Sequence, residues 1–283
     1  MDLDRLRSFI QIIETGSFSL AAASLNVTQS TISSRIQGLE AELGQTLFSR
    51  GRGGADLTPA GIELQTHARR IIQIWEQARQ GVALPQGYHA VFRLGAPVSL
   101  WDGVIARWVD WMRHNAPGVA LYLGGSYSDG LFEQVSNGLL DVALLYSPRY
   151  RDHVIVEPLM TEELMLVRHP HMAGEWFDNY ALVDLGEEFA VSHTQAFADM
   201  PPPSVTVSVG ALALRYVLDL KGSCYLPARA ANPLVAKGDL VVVAEAPRFT
   251  RQIYAVYPAQ PRNPHVTDLA RAGLRALMDE PSV

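Results

Sequence analysis

The stretch that decides the fold is GSFSLAAASLNVTQSTISSRIQGLEAELG, residues 16–44. Gly16, its first residue, ends the amphipathic segment that precedes the stretch. Ser17 and Thr28 are each suited to cap a helix, because their hydroxyls accept hydrogen bonds from the free amides of a first turn. A tight "NV" turn separates the two helices, and Gly44 ends the second. The stretch therefore predicts a short Ala-rich helix, a tight turn and a longer polar helix.

The longer helix combines an apolar stripe with an uncharged polar face. The stripe, expected to pack on the two preceding helices, consists of Ile32, Ile36, Leu39 and Leu43. The polar face consists of Gln29, Ser30, Ser33, Ser34 and Gln37. Polar helix faces usually just meet water, but Glu or Lys suit an exposed helix better than Ser or Thr. Such a face fits a major groove, where base edges offer donors and acceptors.

Positive charge would then be needed at the rim of this face, where phosphates run. Arg35 lies in the helix itself. Arg50 and Arg52 follow in SRGRGG, where glycines interrupt two short extended pieces and predict a small β-hairpin. The whole chain carries a net charge of −6, whereas residues 1–80 hold eight Arg and eight acidic residues and are neutral. These counts argue against nonspecific nucleic-acid binding by the whole chain but allow a local basic edge.

The helix after the hairpin opens with TPAG, where Thr58 can act as N-cap and Pro59 occupies the first helical position. Apolar residues then recur at spacings of 4, 3, 4, 3 and 4, which is a heptad pattern. These seam residues are Leu64, Ala68, Ile71, Trp75, Ala78 and Val82. An ordinary amphipathic helix packed on its own domain would also show this pattern. We predict a dimer seam, because the helix is longer than the preceding small domain needs.

Beyond the linker-like LPQGYH, strands alternate with helices from residue 91 onward, which predicts an α/β domain with a largely parallel sheet. The predicted domains are a winged helix-turn-helix DNA-binding domain at 1–58, a linker and dimerisation helix at 59–87, and this α/β domain at 88–283.

The N-terminal motifs resemble those of a known family. SFIQIIETGSFSLAAASLNVTQSTISSRIQGLEAELGQTLFSR, followed by LTPAG and a long helix, resembles the DNA-binding domain of LysR-type transcriptional regulators. Downstream, LFEQVSNGLLDVALLY, LVRHPHM and VLDLKGSCYLP resemble parts of that family's effector domain, a periplasmic-binding-protein-like fold with two lobes and a cleft. The stretch SLW…RW is similar to the branch that contains the H-NS-dependent flagellar regulator.

The resemblance implies roles for individual residues. Gln29, Ser30, Ser33 and Gln37 would reach base edges, Arg50 and Arg52 would grip phosphates, and Thr28 would cap the recognition helix. Ser34 stands where many relatives carry a larger basic or polar residue, and Arg35 could take over part of its role. The first lobe would comprise about 88–158 and 252–283, and the second about 159–251.

The implied partners are double-stranded DNA, further copies of the chain, a small-molecule effector and RNA polymerase, in the cytoplasm. A dimer or a dimer of dimers would bind an imperfect palindrome.

Ligands of two-lobed folds bind outside the carboxyl ends of strands. The expected effector site consists of Pro97, Val98, Ser99, Leu100, Gly125, Ser126, Ser192, His193 and Thr194. Ser99 either donates to a small carboxylate or merely caps the helix that follows it. These residues include no Arg or Lys, which weakens the case for an organic anion. Arg149 or Arg151 could supply the charge, or could simply lie at the surface.

Other classes have less support. The single Cys224 cannot form an intramolecular disulfide, which fits a reducing cytosol. We expect no metal site or cofactor, and no apolar run approaches the ~18 residues of a membrane span. An α/β enzyme is the weaker alternative, because GxSxG, GxGxxG, P-loop and HExxH motifs are all missing from the sequence, and the HPH at 169–171 lacks further ligands. A stand-alone small-molecule-binding protein is the other alternative, against which the polar recognition face argues.

Overall fold

The computed structural model describes residues 2–51, 54–126, 128–208 and 210–279. The chain divides into two compact units between Ala83 and Leu84, and each unit is described by itself. In the first unit the elements are α1 (Leu3–Thr15), α2 (Phe18–Ser24), α3 (Gln29–Leu43), β1 (Phe48–Gly51), β2 (Gly54–Leu57) and α4 (Pro59–Val82).

The first unit has one hydrophobic core, to which α1, α2 and α3 each contribute an apolar face. The antiparallel hairpin of β1 and β2 pairs Phe48 with Leu57 at its base. The ring of Phe48 lies 5.4 Å from that of Phe9 and 5.5 Å from that of Phe18, measured between centroids. These contacts anchor the hairpin as a wing beside the three helices, so the unit is a winged helix-turn-helix.

The second unit alternates strands and helices. Its strands are β3 (Ala90–Ala96), β4 (Val119–Gly125), β5 (Val142–Leu145), β6 (Val154–Arg168), β7 (Ala181–Val183), β8 (Val205–Val207), β9 (Ser223–Pro227), β10 (Val241–Val242) and β11 (Phe249–Pro258). Its helices are α5 (Ala106–Asn115), α6 (Ser128–Ser136), α7 (Glu187–Ala196), α8 (Gly210–Leu220), α9 (Ala228–Lys237) and α10 (Pro264–Asp279).

The main sheet has the order β10-β6-β11-β5-β3-β4, and β9 also pairs with β6. Only β3 with β4 and β3 with β5 pair in parallel within the part of this sheet that the structure describes. The pairs that involve β6 or β11 are antiparallel. The prediction of a largely parallel sheet is therefore wrong, because the two longest strands run alongside each other in opposite directions.

These two strands join two lobes. One hydrophobic cluster surrounds Trp108 and takes in Ile253 and Ala255 of β11. A second surrounds Tyr225 and takes in the end of β6, from Leu164 to Val167. The β6–β11 register shifts between Ile253 and Tyr254, within the first of these clusters. Within the described ranges, no helix has the length and apolar character needed to cross a membrane.

Candidate DNA-recognition surface and interlobe cavity

The start of α3 is fixed by its cap. The Thr28 hydroxyl accepts a hydrogen bond from the Thr31 amide at 3.2 Å and lies 2.8 Å from the hydroxyls of Ser30 and Thr31. Satisfying a free amide in this way stabilises the first turn of a helix. Thr28 therefore caps the helix that carries the polar face.

The two faces of α3 differ in exposure as the sequence predicts. Its buried residues are Ile32, Ile36 and Leu39. Gln29, Ser30, Ser34 and Gln37 are exposed, and Ser33 is half-buried. The prediction that Leu43 extends the buried stripe is wrong: it is 47% exposed, as the last residue of the helix before the left-handed Gly44.

Arg35 is bound to α1. Its Nη2 lies 3.1 Å from Asp4 Oδ2, and its Nη1 donates to Ser8 Oγ at 3.3 Å. Arg5 of α1 makes the reverse contact and donates to the Gly38 carbonyl at 3.1 Å. Partly exposed pairs of this kind contribute only about 0–1 kcal/mol. A phosphate or base contact by Arg35 would thus replace its bond to Asp4 at small cost.

The wing starts next to a tightly packed helix N-terminus. The Thr58 hydroxyl accepts from the Gly61 amide at 3.1 Å and donates to the Thr46 carbonyl at 2.6 Å. Of the two arginines predicted to contact phosphates, Arg50 lies in β1, where the structure describes its backbone alone, and Arg52 lies outside the described residues.

The seam of α4 divides into two parts. Leu64, Ala68 and Ile71 pack on the core of their own unit, so these three lie against α1 to α3, as the alternative of an ordinary amphipathic helix predicted. Trp75 is 48% and Val82 89% exposed. An open groove between α1 and α4 is lined by Leu3, Arg7, Ile71, Ile74, Trp75 and Ala78, among others. Only the C-terminal part of the seam leaves a large apolar surface uncovered by its own unit.

The second unit contains a cavity of about 630 Å³ between its lobes. Five of the predicted effector-site residues line it: Pro97, Val98, Ser99, Gly125 and Ser126. The second lobe contributes Asp184, Leu185, Gly186, Ser208, Gly210 and Arg251. The volume falls within the range of about 300–1,000 Å³ typical of small-molecule sites.

The other four predicted effector-site residues are not among the described residues that line the cavity. Leu100 is buried in the core of the first lobe. Ser192, His193 and Thr194 lie within α7, which starts at Glu187, so the loop before that helix faces the cavity in their place. His193 Nε2 lies 2.8 Å from the Tyr180 hydroxyl, and burial lowers the pKa of the imidazole.

Ser99 is not a helix cap. It lies in a 3₁₀ turn at Val98–Leu100 without a capping side-chain hydrogen bond, and a π-helical turn at Trp101–Ile105 follows before α5 starts. Its hydroxyl lies 2.7 Å from that of Tyr146, which also lines the cavity. Burial raises the pKa of the Tyr146 phenol, so the hydroxyl stays protonated and can donate.

Arg251 is the one cation among the described residues that line the cavity, and it was not among the predicted site residues. Its Nε donates to Glu162 at 2.5 Å, its Nη1 donates to the Leu185 carbonyl at 3.1 Å, and its guanidinium carbon lies 3.6 Å from the centre of the Tyr146 ring. One signal was available in the sequence. Arg251, Ile253 and Ala255 occupy every second position of β11, so Arg251 lies on the same inward face as these two buried residues.

The arginines proposed as alternatives are engaged at the surface. Arg149 pairs with Asp129 at 2.9 Å, and Arg151 pairs with Glu133 at 2.8 Å. In the HPH stretch, His169 Nδ1 accepts from the amide of His171 at 3.0 Å, which makes a local turn. Across the described ranges, no three His, Cys, Asp or Glu side chains are grouped to hold a metal ion.

A winged helix-turn-helix unit and a two-lobed unit with a ligand-sized cavity define a class of protein, the transcriptional regulator that joins DNA binding to small-molecule binding. Residues 3–62 match the model of the bacterial regulatory helix-turn-helix protein, lysR family, and residues 85–278 match the LysR substrate binding domain. The chain belongs to the LysR family: it is a DNA-binding transcriptional regulator with an effector-binding domain, and not an enzyme.

Individual relatives agree with this assignment. The HTH-type transcriptional regulator HdfR of Salmonella typhimurium is 29% identical over 260 residues, which cover 91% of this chain and 92% of that protein. This similarity confirms the resemblance to the branch of the flagellar regulator. The LysR family regulator CbnR has a TM-score of 0.74 at 18% identity, over 99% of this chain and 100% of that one.

Two further solved structures carry bound partners. CbnR complexed with its target DNA has a TM-score of 0.70 at 18% identity, over 98% of this chain and 100% of that one. LysG of Corynebacterium glutamicum, solved with its effector Arg bound, has a TM-score of 0.55 at 17% identity, over 99% of each chain. Both likenesses concern the fold.

Proposed function

We propose that this regulator reads an imperfect palindrome with the exposed face of α3, as a dimer or a dimer of dimers, and that a small molecule in the interlobe cavity changes its effect on transcription. The observation that carries the proposal is the exposed row of Gln29, Ser30, Ser34 and Gln37 opposite three buried residues. Uncharged amides and hydroxyls at a helix N-terminus can address base edges in the major groove.

Self-association is proposed to use the uncovered part of the seam, Trp75, Ala78 and Val82, together with Ile74. A half-exposed Trp on an open apolar groove is the kind of surface that marks a protein interface. Two copies would present two recognition helices to two half-sites. As a DNA-bound transcription factor, the protein would act in the cytoplasm and would contact RNA polymerase at the promoter.

The readout is tested by gel shift on the DNA upstream of the protein's own gene. Gln29→Ala and Ser33→Ala are each expected to weaken binding by about 1–3 kcal/mol for a lost base contact. Ala41→Ser is the control, because Ala41 is exposed on the same helix but near its C-terminal end, and the substitution leaves the charge unchanged. Wild-type affinity in both alanine variants would refute the readout. Failure of the wild type to bind would favour a stand-alone small-molecule-binding protein.

The phosphate role of the wing has a different signature. Arg50→Ala is expected to weaken binding to all sequences alike and to reduce the slope of log affinity against log salt by about one unit or less. A loss restricted to one sequence would instead make Arg50 a base-reading residue.

A further inference from the structure

Among the described residues that line the interlobe cavity, Arg251 is the one cation, beside the carboxylates of Asp129 and Asp184. Asp129 is paired with Arg149. Arg251 lines the cavity although it is only 6% exposed. The buried carboxylate of Glu162 binds Arg251 through Oε2 and Arg229 Nε through Oε1, the latter at 2.8 Å. Two guanidinium groups thus share this one carboxylate.

The hydrogen bonds of Arg251 are also incomplete. Its Nε and Nη1 each have an acceptor, but among the described residues Nη2 is buried without a hydrogen-bond partner. Buried polar groups are nearly always paired, since leaving one unpaired is costly, and more so when it is charged. The guanidinium therefore keeps its charge and one unpaired nitrogen, Nη2, in a side chain that lines the cavity.

Neutral donors converge on the same space. The Ser99 and Tyr146 hydroxyls share one hydrogen bond at 2.7 Å, and each carries one proton, so whichever donates leaves the other proton for a ligand. The cavity also touches the N-terminal ends of three helices, at Ser128 of α6, Gly186 before α7 and Gly210 of α8. The helix dipole favours an anion at such ends. At α7 the Gly186 amide already donates to Asp184 Oδ1 at 3.2 Å.

We infer that the ligand of this cavity is a small organic acid whose carboxylate binds against Arg251, between the two lobes. This inference rests on the proposed function, because it specifies the chemical class of the proposed effector. The carboxylate accepts from the guanidinium and from the free hydroxyl of the Ser99–Tyr146 pair. Arg229 and Glu162 hold Arg251 in place and do not themselves need to touch the ligand.

Paired probes test the charge requirement. Thermal unfolding of the full-length protein is followed with benzoate, hexanoate and succinate and with their primary amides, at equal ionic strength. We expect at least one acid to raise the unfolding temperature, and its amide to bind at least about tenfold more weakly. Equal stabilisation by acid and amide would overturn the inference, as would a panel in which none of the acids stabilises the wild type.

Variants test the residue. Arg251→Gln is expected to weaken binding of the stabilising acid by about 10- to 100-fold, the range for a lost charge-assisted hydrogen bond. Arg248→Gln is the matched control, because Arg248 pairs with Glu163 at 2.9 Å on the exposed side of the same region and should bind as wild type. Unchanged binding by Arg251→Gln would refute the assignment.

The buried charge cluster makes Arg251→Gln prone to misfolding, so Arg251→Lys accompanies it. Lys keeps the charge but lacks the planar fork of donors. We expect this variant to keep a preference for the acid over its amide at reduced affinity; a preference lost in the folded Lys variant would contradict the inference.

Gel shifts without any acid separate the two proposals. Neutral probes that stabilise a DNA-binding wild type would refute the carboxylate and leave the proposed function intact. A wild type that fails to bind DNA would refute the proposed readout, whatever the acids do.

Discussion

Gly61, the last residue of LTPAG, supports a prediction whose size follows from geometry. A Cβ placed on Gly61 would lie 2.3 Å from the Leu47 carbonyl oxygen and 2.7 Å from Leu57 Cδ2. The carbonyl cannot move easily, because it also accepts a hydrogen bond from the Thr58 amide at 3.0 Å. Gly61→Ala therefore forces α4 away from the segment that leads into the wing.

Two effects of opposite sign set the magnitude. Ala is favoured over Gly inside a helix by about 1 kcal/mol. Overpacking against fixed atoms costs about 1–3 kcal/mol or more, and a 2.3 Å approach to a backbone oxygen belongs at the upper end. The free energy of unfolding of the first unit is expected to fall by about 1–2 kcal/mol, a factor of about 5–30 in its equilibrium constant.

Hydrogen exchange measured on peptides of the full-length chain resolves this change locally. Amides of the first unit are expected to exchange about 5- to 30-fold faster in the variant, in proportion to the population of the open form. Peptides from residues 84–279 serve as the reference within the same molecule, because they belong to the other compact unit.

Gly38→Ala is the matched control. Its Cβ would meet the Arg5 guanidinium carbon at 2.9 Å, the far end of a flexible side chain that can swing away. Here the helix propensity of Ala offsets the loss of the Arg5 contact, and stability should stay within about 0.5 kcal/mol of wild type. Unchanged or slower exchange in Gly61→Ala would refute the reasoning, as would equal acceleration in both variants.

Three further predictions concern the seam, the second lobe and the recognition helix. Trp75→Asp is expected to weaken self-association at least about tenfold, since burying half a Trp side chain, about 100 Å², contributes about 2.5 kcal/mol. Light scattering across protein concentrations measures the change, and substitution of the exposed Gln73 by Asp is the control. An unchanged mass in Trp75→Asp would place the interface elsewhere. Burial lowers the pKa of His193, so the unfolded chain takes up a proton before the folded chain does as the pH falls below about 6.5, and the folded state loses stability there. The unfolding temperature of the wild type should therefore drop more steeply between about pH 7.5 and 5.5 than that of His193→Gln. Parallel curves for the two proteins would contradict this prediction. Thr28→Ala removes the cap of α3 and should cost about 1 kcal/mol; wild-type exchange rates at the start of α3 would show that another group replaces it.

The local sequence pattern was sufficient to predict structure where a residue's contacts lie within a few helical turns of it. The cap at Thr28, the left-handed Gly44 and the buried Ile32, Ile36 and Leu39 all depend on contacts whose sequence spacing is that of a helix. The family motifs across residues 8–61 have the same character, since each marks a cap, a turn or a packed face.

Heptad spacing could not determine which partner covers the seam. Leu64, Ala68 and Ile71 pack on their own unit, whereas Trp75 and Val82 are exposed. The same heptad period serves both kinds of packing. What distinguishes the two parts of the seam is how far along α4 the contacts with the three preceding helices extend.

The sequence by itself determined the winged helix-turn-helix and the polar face of α3, and its resemblance to the LysR family implied the two lobes of the second unit. The tertiary structure alone decided the chemistry of the cavity, because Arg251, Glu162 and Arg229 come from three separate elements and Tyr146 from the end of a fourth. No local spacing brings a strand arginine to a carboxylate 89 residues away. The antiparallel pairing of β6 with β11 brings the two side chains together, because its register places Arg251 directly opposite Glu162.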